Sequence, residues 1–154
     1  MSVPVVADRI VLPRGFRFSA AAAGLKASGR NDLALVEASP ATTAAALFTR
    51  NRVAAAPIEV GRASLLKSKG RVRAVIINSG NANCATGEAG IRACQEVCRQ
   101  TARLLGIRPE QVFPSSTGII GVPLQTGKLS RNSVPSWKPV KPPSRGWIRW
   151  RRPS

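Results

Sequence analysis

The sequence has no histidine, only three cysteines and only seven acidic residues in 154 positions. Without histidine the chain lacks a major class of metal ligand, so we expect no metal site. Three cysteines cannot all pair within one chain and are too few for the disulfide framework of a secreted domain. No apolar run reaches the roughly 18 residues of a membrane span, and residues 1–18 contain no stretch typical of a signal peptide. We therefore expect a cytoplasmic protein without membrane contact.

The chain is strongly basic, with 24 Lys and Arg residues and a formal net charge of +17, and its few acidic residues are unevenly distributed. All acids precede residue 111, whereas all three tryptophans follow residue 136. Residues 130–154 are rich in Arg, Pro and Trp, lack acids and show no hydrophobic period, so we interpret them as a disordered basic tail. This tail supports an alternative function, a small basic protein that binds nucleic acid by phosphate charge and stacking. Most basic runs are simply solvated, so this hypothesis ranks second.

The centre of the chain predicts a strand, a turn and a helix in succession. Residues 72–77 form a short β-branched run, which is typical of a buried strand. Residues 78–83 contain three asparagines and a glycine, and this composition predicts a turn. Apolar residues at three- and four-residue spacing then predict a helix over 88–105, with Thr86 at its N-cap and Gly106 just beyond its end. We expect strand and helix to pack together, with these helix residues buried: Ile91, Cys94, Val97 and Leu105.

The rest of the chain adds short segments on both sides of this unit. We predict strands at 10–12 and 57–60, a short helix at 63–69, a hairpin of strands 32–37 and 44–48, and loops or irregular strand at 15–26 and 115–121. Strands that cluster first, followed by a helical crossover into another apolar segment, indicate a mixed, layered α/β fold. We assign it to one domain over residues 1–129, followed by the tail at 130–154.

Three short motifs contain residue types that can carry chemistry. Cys94 and Cys98 are four residues apart and could place two thiolates on a metal, but cysteines in an apolar helical stripe are usually small core residues. Gly80 and Gly87 fit neither the Walker nor the dinucleotide-binding spacing. Ser-Thr-Gly at 116–118 could direct a hydroxyl and a glycine N–H at one oxygen and so stabilise an oxyanion. Taken alone, this tripeptide indicates only a turn.

Seven motifs occur in a fixed order along the chain. They are G-L-K at 24–26, D-L-A-L-V at 32–36, A-A-A-L-F-T-R-N at 44–51, A-A-P at 55–57, N-S-G-N-A-N at 78–83, T-G-E-A-G at 86–90 and S-T-G-I-I-G at 116–121. Together they resemble the ornithine and glutamate N-acetyltransferase family of arginine biosynthesis, over residues 15–129. The chain is identified by this resemblance with the N-terminal, or α, part of that family.

The resemblance implies a layered α/β sandwich and a ping-pong acetyl transfer from N-acetylornithine to glutamate through an acyl-enzyme. Acetyl-CoA is an additional co-substrate in some members, and no cofactor is implied. The family precursor cleaves itself before a threonine, whose new α-amino group activates its own hydroxyl. The motif places the oxyanion hole at Thr117 and Gly118. The implied partners are the β part of the enzyme, which carries the substrate-binding residues, and further copies in homo- or hetero-oligomers.

The sequence departs from the family pattern after residue 129. The lysine-containing block and the cleavage site with the nucleophilic threonine are not found, and Thr126 stands too early to replace that threonine. We therefore expect a fragment, truncated or frameshifted after about residue 129. Such a fragment would carry the oxyanion loop without the nucleophile and would be inactive alone.

Overall fold

The computed structural model describes residues 13–129 and 138–139. Its five-stranded sheet has the order β4-β3-β2-β1-β5, in which only β3 and β4 are parallel. The elements are β1 (Phe16–Ala21), β2 (Leu33–Ala38), α1 (Ala56–Lys67), β3 (Ala74–Asn81), α2 (Gly87–Leu105), β4 (Val112–Ile119) and β5 (Lys138–Pro139), with 3-10 turns at Pro109–Gln111 and Thr126–Leu129. The predicted mixed α/β class is confirmed. No helix in the described part of the chain is long and apolar enough to cross a membrane.

One face of the sheet forms the core together with both helices. Side chains alternate between faces along a strand, and buried residues alternate with half-buried ones from Leu33 to Val36 of β2 and from Ala74 to Ser79 of β3. The four residues of β2 and β3 in the main core cluster are each no more than 4 % exposed: Leu33, Leu35, Ala74 and Ile76. α2 lies against α1 and β4 and contributes Cys94, Val97, Cys98 and Ala102 to the same core. This core fixes the positions of β3 and β4, the two strands that matter most below.

The predicted central helix and strand are both present. α2 begins one residue earlier than predicted, ends at Leu105 and is followed by Gly106, whose φ of 63° and ψ of 35° are the left-handed conformation that glycine favours. Cys94 and Val97 are buried as expected, whereas Ile91 and Leu105 are only partly buried against the core. Thr86 occupies the N-cap position, but its side chain makes no capping bond.

The predicted hairpin of residues 32–37 and 44–48 is wrong. Both edges of β2 are occupied, by β1 and β3, and residues 44–48 form no strand; Thr43 makes only an isolated bridge to Arg71. The predicted strand at 57–60 is also wrong, because these residues and part of 63–69 form the single helix α1. Pro57 suits the first turn of a helix, where a missing N–H costs nothing. Residues 16–21, predicted to be loop or irregular strand, form the regular strand β1.

Two predicted loops belong instead to strands. β3 continues through Asn81, inside the predicted turn at 78–83, and β4 continues through Ile119, inside the predicted loop at 115–121. Asn78 and Asn81 can occupy a buried strand because their amides have hydrogen-bond partners within the protein.

Two predictions concern residues that are largely outside the described ranges. The strand at 10–12 lies entirely outside them, and so does most of the tail at 130–154. Within that tail, Lys138–Pro139 pairs with Ser19 and Ala20 of β1. The domain boundary at 129 stays a prediction.

Candidate functional site

The candidate site lies where β3 and β4 end side by side. Parallel strands bring their carboxyl ends to one edge of a sheet, and the register places Thr117 beside Ser79 and Gly118 beside Gly80. The ladder is irregular at this point, because Asn81 pairs with both Thr117 and Ile119. Thr117 and Gly118 are exposed. The two predicted oxyanion residues therefore lie on an accessible strand end.

Gly118 makes an unusually close backbone approach to β3. Its φ is +135°, a conformation that L side chains rarely adopt. A Cβ atom built there would lie 2.3 Å from the carbonyl carbon of Gly80 and 2.5 Å from the nitrogen of Asn81. Only glycine fits, because the obstructing atoms are backbone and cannot rotate away.

Thr117, whose side chain carries a hydroxyl, is an exposed residue beside this glycine. Among residues 13–129 we find no hydrogen-bond partner for that hydroxyl. An exposed hydroxyl next to a glycine backbone is an arrangement that can donate hydrogen bonds to an incoming anionic oxygen. Its role in stabilising an oxyanion stays a prediction.

The segment around Thr117 is held by amide side chains from β3. Ser116 Oγ donates a hydrogen bond to Asn78 Oδ1 over 2.6 Å, and Asn78 Nδ2 donates to the Asn81 carbonyl over 2.8 Å. Asn81 Nδ2 in turn donates to the Val122 carbonyl over 2.9 Å. The residue before Thr117 and a residue shortly after Gly118 are thus both bonded to β3 side chains.

The same chain of bonds continues to the start of α2. Asn81 Oδ1 accepts from the Asn83 N–H over 2.7 Å, and Asn83 Nδ2 donates to the Gly90 carbonyl over 2.9 Å. Thr86 Oγ1 donates to Asn83 Oδ1 over 2.9 Å. Asn83 is fully buried and has a φ of +46°, which asparagine tolerates better than most residues. These bonds connect the strand end rigidly to the first turn of a core helix.

An apolar surface adjoins the site. Ile119 is 64 % exposed, Ile120 63 % and Val122 43 %. Backbone bonds from Ala82 N–H to the Ile119 carbonyl and from Gly121 N–H to the Cys84 carbonyl, each 2.9 Å long, fix this stretch beside β3. The surface is therefore an ordered feature of the site.

The cysteine pair lies in the core, away from this strand end. Cys94 and Cys98 are each 3 % exposed, and Cys84 is half-buried. The hydrogen bond to Cys98, together with burial, raises the pKa of the Cys94 thiol far above its ordinary value. A thiol held in its neutral form is a poor metal ligand and a poor nucleophile. Within the described residues, no three His, Cys, Asp or Glu side chains are grouped closely enough to hold a metal ion.

Sequence reasoning singled out Thr117 and Gly118 but missed the residues that support them. Asn78, Asn81 and Asn83 were assigned to a turn, because amides next to glycine usually indicate one. One feature of the sequence could have indicated their role. The N-S-G-N-A-N motif follows the apolar run of the predicted strand directly, so the strand could have been extended into it.

Comparison with known proteins gives a consistent result. The family model described as the ArgJ family matches residues 17–141. The arginine biosynthesis bifunctional protein ArgJ of Thermus thermophilus is 51 % identical over 120 residues, which are 78 % of this chain and 31 % of that protein. The protein of the same name from Gloeobacter violaceus is 44 % identical over 120 residues, 78 % of this chain and 29 % of its own length. The chain thus spans only about three tenths of the length of these curated relatives.

Two solved structures are similar throughout most of the chain. The crystal structure of arginine biosynthesis bifunctional protein ArgJ from Bacillus halodurans superposes with a TM-score of 0.75 at 31 % identity, covering 82 % of this chain and 64 % of that one. Ornithine acetyltransferase from Mycobacterium tuberculosis, solved in complex with ornithine, gives a TM-score of 0.74 at 41 % identity, covering 82 % and 69 %.

Proposed function

Because the chain belongs to the ArgJ family, we propose that residues 13–129 form the part of an ornithine/glutamate N-acetyltransferase that stabilises the oxyanion of acetyl transfer. The donor substrate is N-acetylornithine and the acceptor is glutamate; acetyl-CoA is an additional donor in some members of the family. The observation that supports this proposal best is the close approach of Gly118 to Gly80, which leaves a side-chain-free backbone beside the exposed Thr117 hydroxyl.

In the proposed reaction, the hydroxyl oxygen of the nucleophilic threonine attacks the acetyl carbonyl carbon of N-acetylornithine, and the carbonyl π electrons move onto the carbonyl oxygen. The hydroxyl proton passes to the α-amino group of the same threonine, which then gives it to the leaving nitrogen. The Thr117 hydroxyl and the Gly118 N–H donate hydrogen bonds to that oxyanion. Collapse re-forms the carbonyl, breaks the C–N bond and releases ornithine after its nitrogen takes up a proton. The neutral amine of glutamate then attacks the enzyme ester and forms a second oxyanion in the same place. Its collapse breaks the ester C–O bond and releases N-acetylglutamate, and the proton of the amine passes through the α-amino group to the threonine oxygen. Fixed donors stabilise the transition state because they need no reorientation as charge develops.

We further propose that the nucleophile lies outside residues 13–129, so that this chain alone forms no acyl-enzyme. Its two buried thiols are unsuited to attack, and the family nucleophile is a threonine activated by its own α-amino group. The exposed apolar surface of Ile119, Ile120 and Val122 beside the donors supports a site that further protein completes.

The first experiment is to incubate the full chain with N-acetylornithine and to measure its intact mass. We expect no acetyl adduct. A stoichiometric adduct would contradict the proposal and would direct attention to Thr117, Thr126 and the cysteines.

The second experiment supplies the remaining portion of the Thermus thermophilus relative as a separate polypeptide and measures N-acetylglutamate formation. Gly118→Ala keeps the backbone N–H but has to displace it, because the new Cβ would meet the Gly80 backbone, and a displacement of about 1 Å should lower kcat on the order of 100-fold. Gly127→Ala is the matched control, because a Cβ at that position meets no atom within 4 Å. Equal activity of the Gly118→Ala variant and the control would refute the oxyanion role.

A further inference from the structure

Three buried asparagines near the end of β3 have no access to a substrate. Asn78 is 5 % exposed, Asn81 7 % and Asn83 0 %. Burying an amide costs free energy unless its hydrogen bonds are made, whereas an apolar residue of similar size carries no such cost. Their retention in the core therefore needs a structural reason that is specific to their hydrogen bonds.

Those hydrogen bonds enclose the Thr117–Gly118 backbone from both sides. Asn78 holds Ser116, the residue immediately before Thr117, and Asn81 holds the carbonyl of Val122, four residues after Gly118. Asn83 connects Asn81 to the first turn of α2. The strand end is thus connected to a core helix through side chains as well as through the sheet.

Backbone pairing between β3 and β4 is irregular at this position. The β3–β4 register shifts between Gly80 and Asn81, directly beside Gly118. Glycine carries no side chain that could pack and fix its own orientation. Beyond this point Ile119 and Ile120 are largely exposed, so core packing contributes little. The side-chain hydrogen bonds of Asn78 and Asn81 therefore add to the backbone bonds of Ile119 and Gly121 in fixing the backbone here.

We propose that Asn78, Asn81 and Asn83 are positioning residues that hold the Thr117–Gly118 backbone in one orientation. This inference rests on the proposed function, because the fixed orientation matters most if these residues bind an oxyanion. A displacement of about 1 Å at a reacting centre can reduce a rate on the order of 100-fold.

The test uses the bond between Ser116 and Asn78, which can be removed without opening the core. Ser116→Ala deletes the hydroxyl, and Ser116→Thr restores one. Ser115→Ala is the matched control, because Ser115 is an exposed neighbour in the same strand with no side-chain hydrogen bond among the described residues. Asn78→Asp is a second variant, which keeps the Oδ1 acceptor and loses the Nδ2 donor to Asn81.

The readout is the backbone ¹⁵N order parameter of the full chain. In Ser116→Ala we expect the order parameters of Thr117 and Gly118 to fall from about 0.85 toward 0.6, while those of Ile76 and Cys98 in the core stay unchanged. Ser116→Thr should recover the higher values, and Ser115→Ala should not change them. Unchanged order at Thr117 and Gly118 in both Ser116→Ala and Asn78→Asp would overturn the proposal, as would an equal fall at Ile76 and Cys98.

A kinetic measurement on the two-polypeptide enzyme separates this inference from the proposed function. If Ser116→Ala loosens Thr117 and lowers kcat at an unchanged KM for glutamate, both are supported. If Thr117 loosens and kcat does not change, the positioning role is supported and the oxyanion role fails.

Discussion

Replacing Gly90 by alanine sets helix propensity against packing, and the two make opposite predictions. Gly90 lies in the first turn of α2, where glycine costs about 1 kcal/mol relative to alanine. Propensity alone therefore predicts that Gly90→Ala stabilises the protein. A Cβ at this position, however, would lie 1.9 Å from Thr86 Oγ1 and 2.7 Å from Asn83 Oδ1. Both contacts are far inside normal van der Waals distance.

The loss of stability in Gly90→Ala can be worked out from the side chains that have to move. Rotation of the Thr86 side chain can move Oγ1 away, but its Cβ stays 2.8 Å from the new methyl group, and the lost hydrogen bond to Asn83 costs about 1 kcal/mol. Asn83 is fully buried and bonded to the Gly90 carbonyl, so it can yield only with strain, and overpacking of this kind costs about 1–3 kcal/mol. After subtraction of the propensity gain, we expect a net loss of about 2 kcal/mol. For a domain of this size the melting temperature should fall by about 8 °C.

Thermal and urea denaturation of Gly90→Ala, with Gly127→Ala as control, would measure this change. The control should be close to neutral because its Cβ meets open space. Thr86→Gly in the Gly90→Ala background should restore part of the loss, because it removes the two Thr86 atoms nearest the new methyl group. A Gly90→Ala variant as stable as the parent would refute the packing argument and the rigidity that we assign to the amide network.

Three further predictions concern the core. Ile76→Asp should abolish soluble expression, because an unpaired buried charge costs several kcal/mol against a total stability of roughly 5–15 kcal/mol; Ile120→Asp, at an exposed position, should express normally. A thiol reagent should label Cys84 in the folded chain and reach Cys94 and Cys98 only after denaturation, so rapid labelling of all three would contradict their burial. The raised pKa of Cys94, caused by the Cys98 hydrogen bond and by burial, means that its stabilising contribution is complete below the ordinary thiol pKa of about 8.5 and is lost as pH rises above it. In Cys94→Ala, the decline of the free energy of unfolding with pH in this alkaline range should be shallower by up to about 1.4 kcal/mol per pH unit, and an equal slope would contradict the assignment.

The sequence predicted an element correctly where the interactions that form it lie within one short stretch of chain. The helix α2 was predictable because its apolar period and Gly106 lie within one continuous stretch. The start of β3 was predictable for the same reason, since a β-branched run stands directly before the asparagines. Pairing of β2 with β1 and β3, in contrast, depends on segments up to 45 residues away, and the nearby run at 44–48 was the wrong choice. The spacing of residues within β2 does not show which distant strand pairs with it.

The site residues show the same limit at atomic scale. Ser-Thr-Gly is a common tripeptide, and nothing within it explains why position 118 has to be glycine. The reason is Gly80, 38 residues earlier, whose backbone occupies the space that a side chain at 118 would need. Likewise, Asn78 is compatible with a buried strand only because Ser116 donates a hydrogen bond to it across the sheet. Each motif is ambiguous alone and becomes specific when the parallel pairing of β3 and β4 brings the two together. The rigidity of the Thr117–Gly118 backbone is therefore a property of the paired strands, and a substitution in either motif should be detectable as a change in the other.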